Sequence, residues 1–518
     1  MGAIEIHDLV YALPGGRTLF SDVTFRVGEG EHAALVGANG TGKTTLLRVL
    51  AGDLPMTRGV ARIEGAVLVM RQLLRDHDAD VRVVDFLRSL APLPVQHAAR
   101  EILAAERAGD GVHLANAFQR YGDAGGWEVE VEWDMCCVAA LGLAFERVRD
   151  RALATLSGGE QKRLALEYLL RSDADVLLLD EPDNFLDVPA KEWLESALNE
   201  SNKTILLVSH DRELLARAAQ KVVTLEGHGA WTHGGSFATY HEARDARLER
   251  LDDEHRRYRE RRRQLEASVT ELRRRSQMTD AFASRLRATK TKIEQLDRQA
   301  PRERPPEQRI SMRLGGDRTG KRAVVVESLE LAGLTEPFDL DVGFGERVAV
   351  VGHNGTGKTH FLRLLAGELV EHTGSWRLGA RVVPGYFSQV HEQPRLAARP
   401  LLDIAMDRNL SRGEAMAALR RYELHGAWRQ SFSTLSGGQQ ARVQILLLEL
   451  AGTTLLLLDE PTDNLDLASA EALEEALDQY EGTVLMVTHD RWLMRTCDRF
   501  VIFGSDCTVT ESFVPTYR

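Results

Sequence analysis

Gly37-Ala-Asn-Gly-Thr-Gly-Lys43-Thr44 follows the apolar run Ala33-Ala-Leu-Val36 and leads into Thr45-Leu-Leu-Arg-Val-Leu50. The same order returns at Gly352-His-Asn-Gly-Thr-Gly-Lys358-Thr359, after Val348-Ala-Val-Val351 and before Phe361-Leu-Arg-Leu-Leu365. Strand, glycine turn and helix start, in that order, describe a loop that holds phosphate. Gly37, Gly40 and Gly42, like Gly352, Gly355 and Gly357, let backbone N–H groups around Asn39 and Asn354 turn inward toward phosphate oxygens. Lys43 and Lys358 are placed to neutralise the β and γ charges, and the Thr44 and Thr359 hydroxyls to coordinate magnesium.

Outward from these loops the chain repeats itself at fixed intervals. Leu156-Ser-Gly-Gly-Glu160 returns as Leu435-Ser-Gly-Gly-Gln439; Ser157 precedes Asp180 by 23 residues, as Ser436 precedes Asp459, and His210 and His489 follow those aspartates by 30. One nucleotide-hydrolysing cassette is therefore written twice. Val176-Leu-Leu-Leu179 and Leu455-Leu-Leu-Leu458 read as buried parallel strands ending in Asp-Glu-Pro, which makes the fold class α/β. Asp180 and Asp459 are expected to hold magnesium, and Glu181 and Glu460 to polarise the attacking water. His210 and His489, each followed by Asp-Arg, fit a γ-phosphate switch, and Gln72 and Gln389 are placed with the sites by position. A helical subdomain is expected between each glutamine and its Leu-Ser-Gly-Gly peptide. It is longer in the first cassette, with 85 residues from Gln72 to Ser157 against 47 from Gln389 to Ser436, and the extra segment falls within about 75–150.

At 518 residues the chain exceeds one core, and roughly 150 residues per domain predicts three or four units. With 43% hydrophobic and 27% charged residues it reads as globular. The richest apolar stretch, Leu446 to Leu458, is interrupted by Glu449, so no membrane span is expected. The first residues lack the pattern of a secretory signal, and the four cysteines form no CxxC pair; a reduced, cytoplasmic location is expected. The net charge of −12 hides a local reversal: residues 256–292 carry 13 basic against 4 acidic side chains. Leu251, Tyr258, Leu265 and Leu272 recur every seven residues, and Leu286 and Ile293 repeat the interval beyond Ser276 to Asp280. Two antiparallel helices are expected, the first of about 35 residues and roughly 50 Å, stopped after the second by Pro301, Pro305 and Pro306. The resulting organisation is a first cassette over 1–239, a basic helical linker over 240–312 and a second cassette over 313–518. Arg261, Arg262, Arg263, Arg273, Arg274 and Arg275 make the turn-proximal part of the linker basic, and Met278 and Phe282 lie beside the turn. These eight residues are candidates for RNA contact, although packing between the helices would use Met278 and Phe282 equally well.

These residues resemble the ABC-F class of ABC ATPases over nearly the whole chain: two cassettes in one polypeptide, no transmembrane domain and a charged helical linker. Asp180-Glu-Pro-Asp-Asn-Phe-Leu-Asp187 and Asp459-Glu-Pro-Thr-Asp-Asn-Leu-Asp466 resemble the family string DEPTNHLD, departing at Asp183 and Phe185 and at Asp463. The resemblance implies a monomer whose cassettes sandwich two ATP molecules with Mg2+. One site would pair Lys43, Thr44, Asp180 and Glu181 with Ser436, Gly437 and Gly438. The other would pair Lys358, Thr359, Asp459 and Glu460 with Ser157, Gly158 and Gly159. Tyr11 stands where the family places an aromatic platform for adenine, and Val324 to Leu334 holds no counterpart. Thr45 would offer a hydroxyl to the α-phosphate, and His360 at the matching position of the second cassette has none to offer.

The family binds the ribosome near the tRNA exit site, with the linker reaching toward peptidyl-tRNA, rRNA and the peptidyl-transferase centre. The resemblance therefore implies an ATPase, converting ATP and water to ADP and phosphate, that protects the ribosome from an antibiotic. A housekeeping translation factor, the ATPase subunit of a drug exporter and a DNA-associated ATPase stay open as alternatives.

Overall fold

The computed structural model describes residues 2–70, 81–275, 280–301, 310–315, 320–388, 393–408, 410–463 and 465–514. Gln72, Gln389 and Met278 lie outside the described residues, as do the side chains of Arg275 and Phe282. The chain divides into two compact units, Met1–Thr232 with Gln308–Arg518, and His233–Glu307.

In the first unit each cassette is built on a six-stranded sheet. Its order is Val67–Met70, Val176–Asp180, Thr204–Val208, His32–Val36, Lys221–Leu225 and Ala230–His233 in one copy. In the other it is Pro384–Phe387, Leu455–Asp459, Thr483–Val487, Arg347–Gly352, Arg499–Phe503 and Val509–Ser512. The central strands pair in parallel, and all five residues of Val176–Asp180 and of Leu455–Asp459 are buried, as continuous apolar runs in a covered sheet must be. A three-stranded antiparallel sheet packs on each cassette: Thr18–Val27, Ile4–Ala12 and Arg58–Ile63, and Phe338–Gly343, Arg322–Leu331 and His372–Leu378.

The central strands deliver the chemistry to one edge. His32–Val36 and Arg347–Gly352 end at the two glycine loops, and the helices Lys43–Leu50 and Lys358–Leu365 begin at the two lysines. Between sheet and Leu-Ser-Gly-Gly peptide, among the described residues, the first cassette inserts five α-helices, Val83–Leu90, Leu93–Ala108, Gly111–Asp123, Gly126–Leu141 and Phe145–Val148, against Leu401–Met406 and Arg412–Arg421 in the second. The extra residues are thus helical, packed around the buried Tyr121 and Trp133. All four cysteines are free, and burial pushes the Cys136 and Cys137 thiols up to about 12.

The second unit is a helical hairpin, Tyr240–Arg275 and Asp280–Arg298. Leu251, Tyr258, Leu265, Leu272, Leu286 and Ile293 are all half-buried, as a seven-residue repeat in a two-helix seam requires. The antiparallel register is set by the Tyr258 hydroxyl, which donates to Asp297 Oδ1 at 2.6 Å, and by Arg262, whose Nε lies 3.1 Å from the same oxygen.

Gly42 sits at φ 97°, and a Cβ there would lie 2.8 Å from Leu19 Cδ2 and 3.0 Å from Phe20 Cδ1. Gly42→Ala must therefore carry a left-handed alanine in a crowded place. It is expected to lower stability by about 1–2 kcal/mol, read from the urea midpoint; an unchanged midpoint would show that the loop does not need glycine there.

Candidate functional site

Both Leu-Ser-Gly-Gly peptides fold as helix starts because their spacing, Ser-x-x-Glu or Ser-x-x-Gln, is a capping box. Ser157 Oγ accepts from the Glu160 N–H at 3.2 Å while Glu160 Oε2 accepts from the Ser157 N–H at 2.7 Å; Ser436 and Gln439 repeat the exchange at 3.4 and 3.0 Å. The helices Gly158–Arg171 and Gly437–Leu450 thus present N-terminal N–H groups suited to an anion.

Asp187 and Asp466 join one cassette to the other. Each caps the helix that follows it, through the N–H groups of Ala190 and Ser469. With its second oxygen, Asp187 takes His353 Nδ1 of the opposite glycine loop at 2.9 Å, and Asp466 accepts the Asn39 N–H of the other loop at 2.9 Å. Asn354 Nδ2 donates to the Phe185 carbonyl at 3.2 Å, and a Cβ on Gly159 would lie 3.7 Å from that same nitrogen. Ser157, Gly158 and Gly159 are thereby brought to the loop of Lys358, and with Glu460 and His489 they line a cavity of about 280 Å³ between the cassettes. For the first site, the Asn39–Asp466 bond supplies the corresponding link. These two aspartates are visible in the sequence as repeated letters, but their reach across the interface emerges only in the fold.

The repeated Asp-Arg after each histidine is a second reciprocal exchange. Arg212 Nη1 lies 2.6 Å from Glu474 of the second cassette, and Arg491 pairs with Glu195 of the first. Glu213 accepts from Trp492 Nε1 at 3.0 Å and pairs with Arg495 at 2.7 Å. Such pairs are expensive to break from one side, because removal of one member leaves a buried charge.

Within each site the lysine ammonium turns back on its own loop, Lys43 to the Gly37 carbonyl at 2.7 Å and Lys358 to those of Gly352 and His353 at 2.8 and 2.7 Å. Burial lowers the pKa of both lysines. Thr359 Oγ1 donates to Asp459 Oδ1 at 3.1 Å, Thr44 bonds Asp180, and Asp180 Oδ1 is buried without a hydrogen-bond partner. A hydroxyl beside a desolvated carboxylate oxygen fits magnesium, which takes few protein ligands and keeps its waters. Thr45 is half-buried one residue beyond the first hydroxyl.

Glu181 and Glu460 occupy the left-handed region at φ 50° and 48°, a strain on the order of 1–3 kcal/mol each. Their carboxylates are held differently. Glu181 Oε2 accepts from Asn184 Nδ2 at 2.7 Å. The equivalent position in the second cassette is Asp463, which as a carboxylate has no proton to give. Glu460 instead accepts the His489 N–H at 3.0 Å, with Nε2 of the same histidine 3.4 Å from Oε1. Burial, then Asp463 and Asp459, raise the Glu460 pKa well above the ordinary carboxyl range. Burial and the neighbouring Lys43 bring His210 down to about 3, and burial with Lys358 depresses His489 well below its usual value. Both histidines are therefore neutral at pH 7, and Glu460 is held by the His489 backbone N–H rather than by an ion pair with its ring.

Two expected site residues have partners within the chain. Tyr11 is 7% exposed and stacks on Phe20 with ring centroids 5.8 Å apart. Arg262 is engaged within the hairpin by Asp297 and Glu266, as a brace between the helices. Arg261, Arg263, Arg273 and Arg274 are exposed.

The family profile described as ABC transporter matches residues 20–184 and 335–463. A protein of Mycobacteroides abscessus named "Antibiotic resistance protein" is 49% identical, covering 100% of both chains. The tylosin resistance ATP-binding protein TlrC of Streptomyces fradiae is 33% identical over 97% of this chain and 96% of its own. "ABC transporter F family member 2" of Arabidopsis thaliana is 28% identical over 93% of this chain and 73% of its own. Among solved structures, archaeal ribosome recycling factor aABCE1, in complex with ribosomal stalk protein aP1, aligns over 96% of this chain and 87% of its own with a TM-score of 0.56 at 21% identity, a likeness of fold. Among the described residues no helix is long and apolar enough to cross a membrane.

Asp183, 4% exposed and with Oδ1 unpaired, is pushed up to about 6 by burial and then by the Asp211 charge. An aspartate that titrates near 3.8 when unfolded then binds more protons folded than unfolded between those values, so stability falls as pH rises from about 4 to 6. Asp183→Asn is expected to melt above the parent at pH 7.5, by the equivalent of about 2–3 kcal/mol, and to match it near pH 4. A difference independent of pH would contradict this.

Proposed function

The chain belongs to the ABC family and, within it, to the ABC-F group of tandem cassettes, and from that premise we propose an ATP-hydrolysing clamp that binds the ribosome and protects it from an antibiotic. The clamp would act in the cytoplasm as a monomer, near the tRNA exit site, with the basic hairpin directed toward peptidyl-tRNA, rRNA and the peptidyl-transferase centre. The observation that carries this reading is the pairing of reciprocal cassette contacts with an arginine-rich hairpin in a chain whose full-length relative bears an antibiotic-resistance name.

ATP in the second site would draw the Lys358 ammonium from its loop carbonyls to the β and γ oxygens, and the helix start at Ser157, Gly158 and Gly159 would face the γ-phosphate from the other cassette. Magnesium, when bound, offsets charge on those oxygens, and Thr359 with Asp459, like Thr44 with Asp180, would hold it. Glu460 and Glu181 would orient the attacking water and take its proton, and neutral His489 and His210 would hydrogen-bond the γ-phosphate. Since each site needs residues of both cassettes, ATP favours closure and loss of the γ-phosphate favours opening. Arg261, Arg263, Arg273 and Arg274 suit phosphate and base stacking in RNA.

The test is Glu181→Gln with Glu460→Gln, which should retain ATP, sedimented with 70S ribosomes through sucrose. ATP-dependent co-sedimentation, followed by displacement of a ribosome-bound macrolide, is expected. Binding without displacement would favour a translation factor; no binding with ATP retained would overturn the ribosomal reading in favour of a membrane or DNA partner.

A further inference from the structure

Lys191 breaks the symmetry of the cassette pair at its centre. It lies one turn into the helix Val188–Glu200, four residues after the capping Asp187. The position four residues after Asp466 is Ala470, so the ammonium has no counterpart. Lys191 and Ala470 line the same interfacial cavity, together with His210 and His489.

The Lys191 side chain is 8% exposed as a residue, and its Nζ is matched on both sides of the interface. It lies 3.0 Å from Asp211 Oδ2 of its own cassette and donates to the His489 carbonyl of the other at 3.3 Å. Burial alone would drive a lysine toward neutrality, but Asp211 and Asp183 outweigh that and hold the pKa above its ordinary value. The Lys191 ammonium is thus placed against the backbone of the histidine whose N–H holds Glu460. Arg491, which pairs with Glu195, also approaches Asp211 at 3.7 Å, so the same cluster is braced from the second cassette.

The two glutamates therefore answer to different partners. Glu181 is held by Asn184 of its own cassette, whereas Glu460 is held by His489, whose carbonyl is held by a lysine of the other cassette. We propose that Lys191 is a positioning residue that acts through His489 on Glu460, so that ATP turnover at the Lys358 site depends on the first cassette through this ammonium as well as through Ser157, Gly158 and Gly159, whereas Ala470 gives the Lys43 site no such ammonium. This rests on the ATPase reading above. Lys191 touches neither nucleotide nor reacting atoms in this scheme; what it sets is the place of the His489 backbone.

The experiment separates the sites in the full chain. Glu181→Gln leaves turnover to Glu460, and Glu460→Gln leaves it to Glu181; Lys191→Met and Lys191→Arg are added to each. In the Glu181→Gln background, Lys191→Met should lower kcat by about tenfold or more with little change in KM, and Lys191→Arg should restore most of it. In the Glu460→Gln background the loss should be at least several-fold smaller. Equal losses in both backgrounds, or no loss in the first, would overturn the proposal. If Lys191→Met does not fold, Lys191→Gln with Asp211→Asn removes both members of the buried pair and is read by the same ratio. A parent without ATP turnover would instead sink the ATPase reading, and this inference with it.

Discussion

Two carboxylates carry the dependence of one cassette on the other. Asp187 and Asp466 each use one oxygen to start a helix and the other to hold the glycine loop across the interface. A helix N-cap is among the most rigid places to mount a side chain, because the cap bond fixes both the carboxylate and the backbone behind it. The geometry of each phosphate loop is thereby tied to a helix of the opposite cassette. The buried exchanges of Arg212 with Glu474 and of Arg491 with Glu195 extend the same logic one layer deeper.

Around this near-symmetric frame the two sites have diverged by single letters. Asn184 against Asp463 decides whether the glutamate finds an amide donor in its own loop, and Lys191 against Ala470 decides whether an ammonium of the other cassette reaches the histidine carbonyl. Both glutamates keep the same left-handed backbone, so the difference lies in what the carboxylates touch. Glu460, buried with Asp463 and Asp459 beside it, resists ionisation.

Much of this is legible in the letters because it depends on local spacing. A glycine loop between strand and helix, a Ser-x-x-Glu start and a seven-residue apolar repeat each specify a local conformation, and the loops, the capped helices and the hairpin follow from them. The extra helices of the first subdomain are readable as helix but not as a packed group around Tyr121 and Trp133. Tyr11 enters as an adenine platform only through the family resemblance, and its stacking on Phe20 of the neighbouring strand is a contact that no local pattern encodes. Lys191 carries no local signal at all. Its partners lie 20 residues away at Asp211 and 298 away at His489, and no pattern of neighbours encodes such a meeting.

A nucleotide site completed by the opposite cassette is distinguished from one completed within its own by photolabelling Asp187→Ser with 8-azido-ATP. Serine keeps an N-cap oxygen for the helix but lacks the carboxylate that holds His353. Peptide mapping should show labelling abolished at the Lys358 site, opposite the altered residue, and kept at the Lys43 site in the same cassette as the change. Labelling abolished at Lys43 and kept at Lys358 would mean instead that each cassette serves its own nucleotide.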